Sequence, residues 1–507
     1  MSVISYYRRR VSIGVLLTLV ALILSLFLAL TSRSLTFAAV SITQISSDPY
    51  TNTTSKHQTE VEPDTYSFGS TIVSAFQVGR FTDGGSSNIG WATSTNGGSS
   101  WTHGFLPGIT KIVNPANPYD RVSDPSVAYD AMHNVWLISS LAITTGTGSV
   151  VGAAVIVSRS TNGGLTWNNP VVVKSASGFA NLDKNWSVCD DTSSSPFYGH
   201  CYTEWDNNGA GNRIQMSTST NGGTSWGTSK RTANSATGLG GQPVVQPNGT
   251  VIVPIDNANE TSVLAFNSTN GGTSWSSTVT VATISSHTVA GSLRSGPLPS
   301  AEIDGSGKVY VVWPDCRFES GCSANDIVMS TSSNGTTWSG VTRIPANTVG
   351  SGVDHFIPGL AVDKLTSGST AHLVLAFNYY PVANCTSATC QLNVGYSSST
   401  DGGVHWTTTT NITGSMTLSW LPNTTQGRMV GDYMSTSFSS GTARPVFAVA
   451  AVPSGGSDCS AAGVTCHEAM DTVVTGLTIL RGHNTSGGDR VVASSDHPAS
   501  STPLTLR

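Results

Sequence analysis

Hydrophobic and polar residues alternate in many short segments of the chain, which is the period-two pattern of half-buried β-strands. Examples are residues 89–94, 155–160, 214–219 and 327–331, while residues 135–140, 250–255 and 308–313 are strongly β in residue type. Segments rich in Gly, Asn, Ser and Pro, the residues that favour turns, separate them. The pattern predicts an all-β protein.

One turn motif of eight residues follows such strands again and again. Its first copy reads Ser-Thr-Asn-Gly-Gly-Ser-Ser-Trp, and the copies begin at Ser94, Ser160, Ser219, Ser268, Ser332 and Ser399. The copy that begins at Ser332 is one residue shorter than the others. The Asn side chain can bond the backbone of its own turn, and Gly adopts positive φ without a steric penalty. The Trp can then pack its ring under the turn. Each copy therefore predicts a tight hairpin.

Two further strand patterns precede each copy, so that one unit reads strand, turn, strand, loop, strand, motif, strand. Units of four antiparallel strands at this spacing predict a β-propeller. Seven units can be counted between residues 41 and 480, and six is the alternative. Residues 40–45 form a strand that could close the ring as the outer strand of the last unit.

The turn motifs resemble the Asp-box, or BNR repeat, of the sialidase superfamily, which reads Ser-x-Asp-x-Gly-x-Thr-Trp. Asn replaces Asp in five of the six copies, and Asp401 keeps it in the last. The resemblance covers residues 60 to 480 and implies a sialidase-like propeller of four-stranded antiparallel blades. It also implies that the motifs lie on the face away from the active site, as part of the scaffold.

Composition and the chain termini add a cellular context. Charged residues are 10% of the 507 residues, and the formal net charge is -5 without a basic run. Nucleic acid is therefore not expected as a partner. Residues 1–40 have charged, apolar and small-residue regions in the order of a signal peptide, with a retained membrane anchor as the alternative. The protein is expected to be secreted or displayed at the cell surface, with a polar tail over residues 481–507.

Eight cysteines in an exported chain predict disulfides. They fall into four sequential pairs: Cys189 with Cys201, Cys316 with Cys322, Cys385 with Cys390, and Cys459 with Cys466. Three of the four pairs lie in the loop between the second and third strands of a unit. Those loops are on the face opposite the turn motifs, so disulfides would stiffen the face on which a ligand site is expected.

Candidate site residues are the polar side chains that the predicted strand order assigns to this same face. The resemblance to sialidases implies an aspartate as the acid/base, a tyrosine as the nucleophile and a glutamate as its activator. The candidates on this face are Asp124, Tyr433 and Glu204. The resemblance also implies three arginines that bind a substrate carboxylate; the candidates are Arg294, Arg317 and Arg428, with Arg121 in reserve. Planar guanidinium groups match a carboxylate with two parallel hydrogen bonds. A neutral phenol avoids repulsion from the same anion.

Two functional classes fit these residues. One is a secreted glycoside hydrolase of the exo-sialidase type, a monomer that acts on glycans without a cofactor or metal. The other is a non-catalytic propeller that binds glycan or protein. The Arg-Ile-Pro sequence typical of sialidases follows the fifth motif, at residues 343–345, instead of preceding the first. Arginines gathered around a pocket would favour the enzyme, and arginines each paired with an aspartate would favour the binding protein.

Overall fold

Strands dominate the computed structural model, which describes residues 40–146 and 148–482. Helical residues in this part of the chain are confined to short 3-10 turns at Asn208–Ala210, Ala290–Ser292, Ser320–Cys322, Gly368–Thr370 and Leu418–Trp420. The prediction of an all-β propeller is confirmed. The predicted signal or anchor segment lies outside the described residues, except for Val40, and so does most of the predicted tail.

The first half of the described chain contains strands β1 to β17. Their bounds are β1 (Ile42–Gln44), β2 (Glu60–Phe68), β3 (Thr71–Arg80), β4 (Ser86–Ser94), β5 (Thr102–Phe105), β6 (Arg121–Asp130), β7 (Val135–Gly146), β8 (Ser149–Ser160), β9 (Val171–Ser175), β10 (Leu182–Cys189), β11 (Cys201–Asn207), β12 (Arg213–Ser219), β13 (Gly238–Leu239), β14 (Val244–Val245), β15 (Val251–Asn257), β16 (Ser262–Ser268) and β17 (Val279–Thr283).

The second half contains the remaining strands. Their bounds are β18 (Ser300–Ile303), β19 (Val309–Asp315), β20 (Asp326–Ser332), β21 (Thr342–Arg343), β22 (Asp354–Val362), β23 (Leu373–Tyr380), β24 (Gln391–Ser399), β25 (Thr410–Asn411), β26 (Met416–Thr417), β27 (Asn423–Thr424), β28 (Gly427–Arg428), β29 (Ser435–Ser439), β30 (Thr442–Ala450) and β31 (Glu468–Val473).

Hydrogen bonding does not divide these strands into the uniform four-stranded units that the sequence predicts. One pair, Ser86 with Val122, joins two neighbouring groups, β2 to β5 and β6 to β9, into an eight-stranded sheet. The sheet of β10, β11 and β12 has three strands, because its outer edge is reduced to an isolated bridge between Met216 and Lys230. In the next sheet β13 and β14 both pair with β15, and the register shifts between Leu239 and Val244, where Gly240 has a φ of 64°.

The innermost strand of each group contacts the innermost strand of the next. The contacts run from β2 to β6, β10, β14, β18, β22 and β29, and then back to β2. The N-terminal strand β1 pairs antiparallel with β31, from Ile42 opposite Val473 to Gln44 opposite Asp471. This confirms that a strand at residues 40–45 closes the last sheet, so both ends of the ring meet in one sheet.

The repeated turn motifs stand where the sequence predicts them, directly after the third strand of a group. In the first, the backbone N–H of Gly98 donates to Ser94 Oγ at 2.8 Å, and the N–H of Ser100 donates to Asn96 Oδ1 at 3.0 Å. Trp167, Trp275 and Trp406 of later copies are buried. The motifs therefore anchor the outer strands to the core, as expected from their residue types.

The four disulfides form between the predicted cysteine pairs, Cys189–Cys201, Cys316–Cys322, Cys385–Cys390 and Cys459–Cys466. The first joins β10 to β11, and the other three close loops between the second and third strands of their groups. Within residues 40–146 and 148–482, the model contains no helix that is both long and apolar enough to cross a bilayer.

Candidate functional site

Four innermost strands carry a β-bulge at the same point near their start. The register shifts lie between Val61 and Asp64, Ser123 and Ser126, Asp183 and Trp186, and Phe356 and Pro358. In each bulge one residue has positive φ: Glu62, Asp124, Lys184 and Ile357. A bulge of this kind re-aims a side chain and is common beside functional sites. The repeated bulges therefore place three charged side chains at one end of the innermost strands.

Asp432, in the connection from β28 to β29, holds two cations among these bulges. Arg294 Nε donates to Asp432 Oδ1 at 2.6 Å, while Arg294 Nη2 and Lys184 Nζ both contact Oδ2. Lys184 Nζ also lies 4.0 Å from Asp124 Oδ1. Burial would raise the pKa of Asp432, but Arg294 and Lys184 hold it well below its usual value. Asp432 is therefore an ionised carboxylate.

The other carboxyl groups of this cluster behave in the opposite way. Burial raises the pKa of Asp124 to about 6, against the attraction of Lys184. Burial also raises the pKa of Glu62 to about 7, and the charges of Asp124 and Asp432 add to that effect. Below these values both groups carry a proton. In mildly acidic solution the cluster thus combines protonated carboxyl groups with one ionised carboxylate.

An aromatic pair stands beside the charges. The rings of Trp186 and Tyr433 meet edge to face with centroids 5.0 Å apart, and Tyr433 donates its hydroxyl proton to the Pro125 carbonyl oxygen at 3.1 Å. Burial raises the pKa of Tyr433 well above its usual value, and the nearby charges of Glu62 and Asp124 raise it further. The phenol is therefore neutral in the resting protein.

A narrow cleft opens onto this cluster. Charged and aromatic groups line one part of it and apolar groups another: Lys184, Asn185, Trp186, Gly240, Gly241, Gln242, Leu298, Pro299, Pro358, Asp432 and Tyr433. An aromatic face next to polar groups suits a ligand with both apolar and hydroxylated surfaces. No group of three or more His, Cys, Asp or Glu side chains in the described residues is arranged to hold a metal ion.

The structure brings three of the predicted site residues together, namely Asp124, Arg294 and Tyr433. Glu204 is fully buried on β11, and a Cβ added to Gly241 would lie 2.7 Å from its carboxylate. Burial raises the pKa of Glu204 well above its usual value. Glu62, and not Glu204, is the carboxyl group whose charge acts most strongly on Tyr433.

The other three predicted arginines are engaged with different aspartates. Arg121 Nη1 lies 2.6 Å from Asp83 Oδ1, Arg317 Nη2 lies 2.7 Å from Asp315 Oδ2, and Arg428 Nη2 lies 2.6 Å from Asp458 Oδ2. Arg428 is nevertheless adjacent to the cluster through its backbone, since its carbonyl oxygen accepts a hydrogen bond from the N–H of Arg294 at 2.7 Å. The guanidinium groups of Arg317 and Arg428 do not join that of Arg294 at Asp432.

Sequence reasoning missed Glu62 and Arg80. Gln77 links them, because its amide nitrogen contacts Glu62 Oε2 and its amide oxygen accepts from Arg80 Nη1 at 3.1 Å. One available signal was the X-Pro pair at the start of the innermost strands, as in Glu62-Pro63, Asp124-Pro125 and Ile357-Pro358. Because Pro interrupts regular pairing, such a pair is compatible with a bulge.

The family comparison agrees with the turn motifs. The model of a family described as "BNR repeat-like domain" matches residues 152–406, half of the chain. No curated protein matches.

Several solved structures are similar to this chain at low identity. A Hadza microbial sialidase, Hz136, is 12% identical over 82% of this chain and 67% of its own, with a TM-score of 0.42. The NanB sialidase from Streptococcus pneumoniae is 13% identical over 86% and 70%, with a TM-score of 0.42. The alpha-L-arabinofuranosidase Arb93A from Fusarium graminearum is 12% identical over 70% and 97%, again with a TM-score of 0.42. Likeness at this level carries no argument about the reaction of this chain.

Proposed function

Because this chain belongs to the BNR repeat-like family, we propose that it is an extracellular glycoside hydrolase whose reaction takes place in the central cleft. The observation that supports this most directly is the contrast among carboxyl groups in the cluster. Asp124 has a raised pKa of about 6, while Asp432 is held ionised by Arg294 and Lys184. Groups whose environments drive their pKa values apart are the usual basis of acid–base catalysis.

In this proposal Asp124 donates a proton to the oxygen of the departing sugar and later removes one from water. Its pKa of about 6 keeps it protonated in mildly acidic solution. Lys184, 4.0 Å away, stabilises the carboxylate once the proton has left. Asp124 is therefore proposed as the acid/base, as the resemblance implies.

Tyr433 is proposed as the nucleophile. Its phenol is neutral at rest, so it must lose a proton as it attacks the anomeric carbon. Glu62 is the carboxyl group with the greatest influence on Tyr433. We propose that it receives this proton in the molecules in which Glu62 is ionised while Asp124 is protonated, a combination that is most frequent between their pKa values of about 7 and about 6. The activating role predicted for Glu204 stays a prediction.

The resemblance implies a sialoside as the substrate. Binding of a sialoside carboxylate would depend on guanidinium groups that are free to contact it. Arg294 already binds Asp432, so a substrate carboxylate would have to compete with that aspartate. Hydrolysis of an aryl sialoside by Arg317→Ala tests whether a further arginine takes part. A loss of at least about 100-fold in kcat/KM would assign Arg317 to substrate binding. An unchanged value would restrict it to its pair with Asp315.

The proposal is tested with a panel of 4-methylumbelliferyl glycosides that includes a sialoside and neutral hexosides and pentosides. Between pH 6 and pH 7, where Asp124 can be protonated while Glu62 is ionised, the wild type is expected to hydrolyse at least one of them. Asp124→Asn should lower kcat/KM by at least about 100-fold, the usual effect of losing an acid/base group. Asp83→Asn is the matched control, because Asp83 is half-exposed and pairs with Arg121 outside the cluster. If the wild type hydrolyses none of the panel, the enzyme proposal fails.

The second candidate is a glycan-binding propeller without catalysis. It is favoured by one observation, namely that each of the four predicted arginines is already paired with an aspartate. Trp186 would then serve as a platform for a sugar ring at the cleft. Binding on a glycan array that survives Asp124→Asn and disappears in Trp186→Ala, with no hydrolysis, would establish this function.

We also infer that the ring has seven radial units and that the protein works outside the cytosol. The innermost strands that form the closed cycle of contacts, from β2 through β29, support the number of units. Four disulfides support an oxidising environment. An experimental structure at side-chain resolution, and peptide mapping of the protein found in the culture medium, would test the two inferences.

A further inference from the structure

A serine, a histidine and an aspartate form a continuous hydrogen-bonded relay in the loop between β1 and β2. Ser55 Oγ lies 3.1 Å from His57 Nε2, and His57 Nδ1 lies 2.8 Å from Asp48 Oδ2. These are the distances at which a base can take the proton of a nucleophile while a carboxylate orients the base. The relay involves none of the residues assigned to the central cleft.

The buried member of the relay is its carboxylate. The side chain of Asp48 is fully buried, whereas that of His57 is 17% exposed. Asp48 Oδ1 is also fixed, because it accepts the backbone N–H of Tyr50 at 3.0 Å. Burial would lower the pKa of His57, but its hydrogen bond and charge interaction with Asp48 raise it above the usual value. Asp48 therefore makes the imidazole a stronger base and directs Nε2 towards the serine.

The remaining contacts of the loop suit proton transfer from Ser55. The carbonyl oxygen of Asn52 lies 2.9 Å from His57 Nε2, so it can accept a hydrogen bond from Nε2–H when the imidazole is protonated. The Asn52 side chain donates from Nδ2 to Ser55 Oγ at 2.9 Å. This hydrogen bond fixes the hydroxyl oxygen of Ser55 beside His57. Ser87 Oγ, 2.9 Å from Ser55 Oγ, donates to Asn52 Oδ1 at 3.1 Å and holds this amide in place.

From this geometry we propose that Ser55, His57 and Asp48 form a second site, which hydrolyses small acyl esters such as acetyl esters. Ser55 and His57 are only half-buried, so an ester can reach them from solvent. A short acyl group is the class that fits, because the relay lies in a surface loop rather than at the bottom of the central cleft.

The reaction needs only the ester and water. The Ser55 hydroxyl gives its proton to His57 Nε2 as Oγ bonds to the acyl carbon. The bond from that carbon to the alcohol oxygen then breaks, and the alcohol leaves with the proton from His57. A water molecule next gives a proton to His57 and adds its oxygen to the acyl carbon. The bond from Ser55 Oγ to the acyl carbon then breaks, the carboxylic acid is released, and His57 returns the proton to Ser55 Oγ.

The chain contains a matched control for this proposal. Ser454 Oγ lies 2.6 Å from His467 Nε2, and His467 Nδ1 lies 3.0 Å from Gln58 Oε1. This second serine–histidine pair has an amide where the first has a carboxylate. Since a neutral amide does not stabilise an imidazolium, Ser454 should be far less reactive than Ser55.

The full-length protein is treated with a fluorophosphonate probe, which marks nucleophilic serines covalently, and the marked residue is identified by peptide mass spectrometry. We expect the label on Ser55 and not on Ser454. Asp48→Asn, which gives the first relay the amide of the second, should slow labelling by at least about 100-fold. Ser55→Ala should abolish hydrolysis of p-nitrophenyl acetate above background, and Ser454→Ala should leave it unchanged. The melting temperature of each variant verifies that it is folded.

Unlabelled Ser55 in the wild type would overturn the proposal, as would equal labelling of Ser55 and Ser454. Hydrolysis of the acetate ester that survives Ser55→Ala would do the same. These outcomes are independent of the glycoside panel, because the relay and the central cleft share no residue. If Asp48→Asn does not fold, His57→Gln replaces it as the test of the base.

Discussion

At the residue scale, Asp432 is the side chain on which the central cluster depends, because it neutralises both Lys184 and Arg294. Asp432→Asn would leave two buried cations with a neutral partner. Removing one member of a buried ion pair typically costs about 3–5 kcal/mol. We therefore expect the free energy of unfolding, measured by urea denaturation at pH 7, to fall by about that amount.

Asp458→Asn is the control for this prediction. Asp458 also binds an arginine, Arg428, but its side chain is 42% exposed. Exposed ion pairs contribute at most about 1 kcal/mol. Equal losses in the two variants would show that the partners of Asp432 are not buried as the structure has them.

The residues of the candidate site could be predicted only where a local pattern marks them. Asp124 and Tyr433 lie in segments that the strand order assigns to the correct face. The partner of Arg317 is two residues away, at Asp315, whereas the partner of Arg294 is distant in sequence. No local sequence pattern indicates which aspartate will pair with the long, flexible side chain of an arginine. The convergence of Lys184 and Arg294 on Asp432 therefore required the structure.

At the element scale, the glycines of the turn motif differ in what surrounds them. Gly163 and Gly272 both have a φ of +79°, but a Cβ at Gly163 meets nothing within 4 Å, whereas one at Gly272 meets Thr218 Oγ1 at 2.1 Å. Gly163→Ala should cost about 1 kcal/mol for the left-handed backbone alone. Gly272→Ala should cost about 1–3 kcal/mol more, because the core must also move. Urea denaturation of the two variants measures the difference, and equal losses would contradict it.

The elements themselves were largely predictable, because turn residues and cysteines act locally. The hairpin motifs, the four disulfides and the closing strand β1 follow from short sequence patterns. The uniform four-stranded unit was wrong in detail for physical reasons that lie outside such patterns. A register shift beside Gly240 divides an innermost strand into two pieces. The pair Ser86–Val122 depends on how closely two neighbouring groups approach.

At the scale of the whole molecule, buried carboxyl groups should make the protein more stable in acid than in alkali. Burial raises the pKa of Glu60 to about 8 and the pKa values of Asp64 and Glu302 to about 7. Such groups are neutral in the folded protein, so folding is favoured below their unfolded pKa values. The benefit is lost as the pH rises towards their folded values. We expect the free energy of unfolding to fall by at least about 2 kcal/mol between pH 5 and pH 8.

Glu60→Gln tests the cause of this dependence, because Gln cannot ionise. Glu60 lies beside Glu468, and both are buried. The variant should lose less stability than the wild type between pH 5 and pH 8. An identical pH dependence in the two proteins would show that Glu60 does not contribute.

The measurement that tests the central claim most directly is the activity of Tyr433→Phe on the aryl glycoside that the wild type hydrolyses best. The variant keeps the ring contact with Trp186 and loses only the hydroxyl that donates to the Pro125 carbonyl oxygen. Catalysis in the central cleft predicts a fall in kcat/KM of at least about 100-fold in a protein that remains folded. Activity within about threefold of the wild type would place the reaction elsewhere and contradict the proposal.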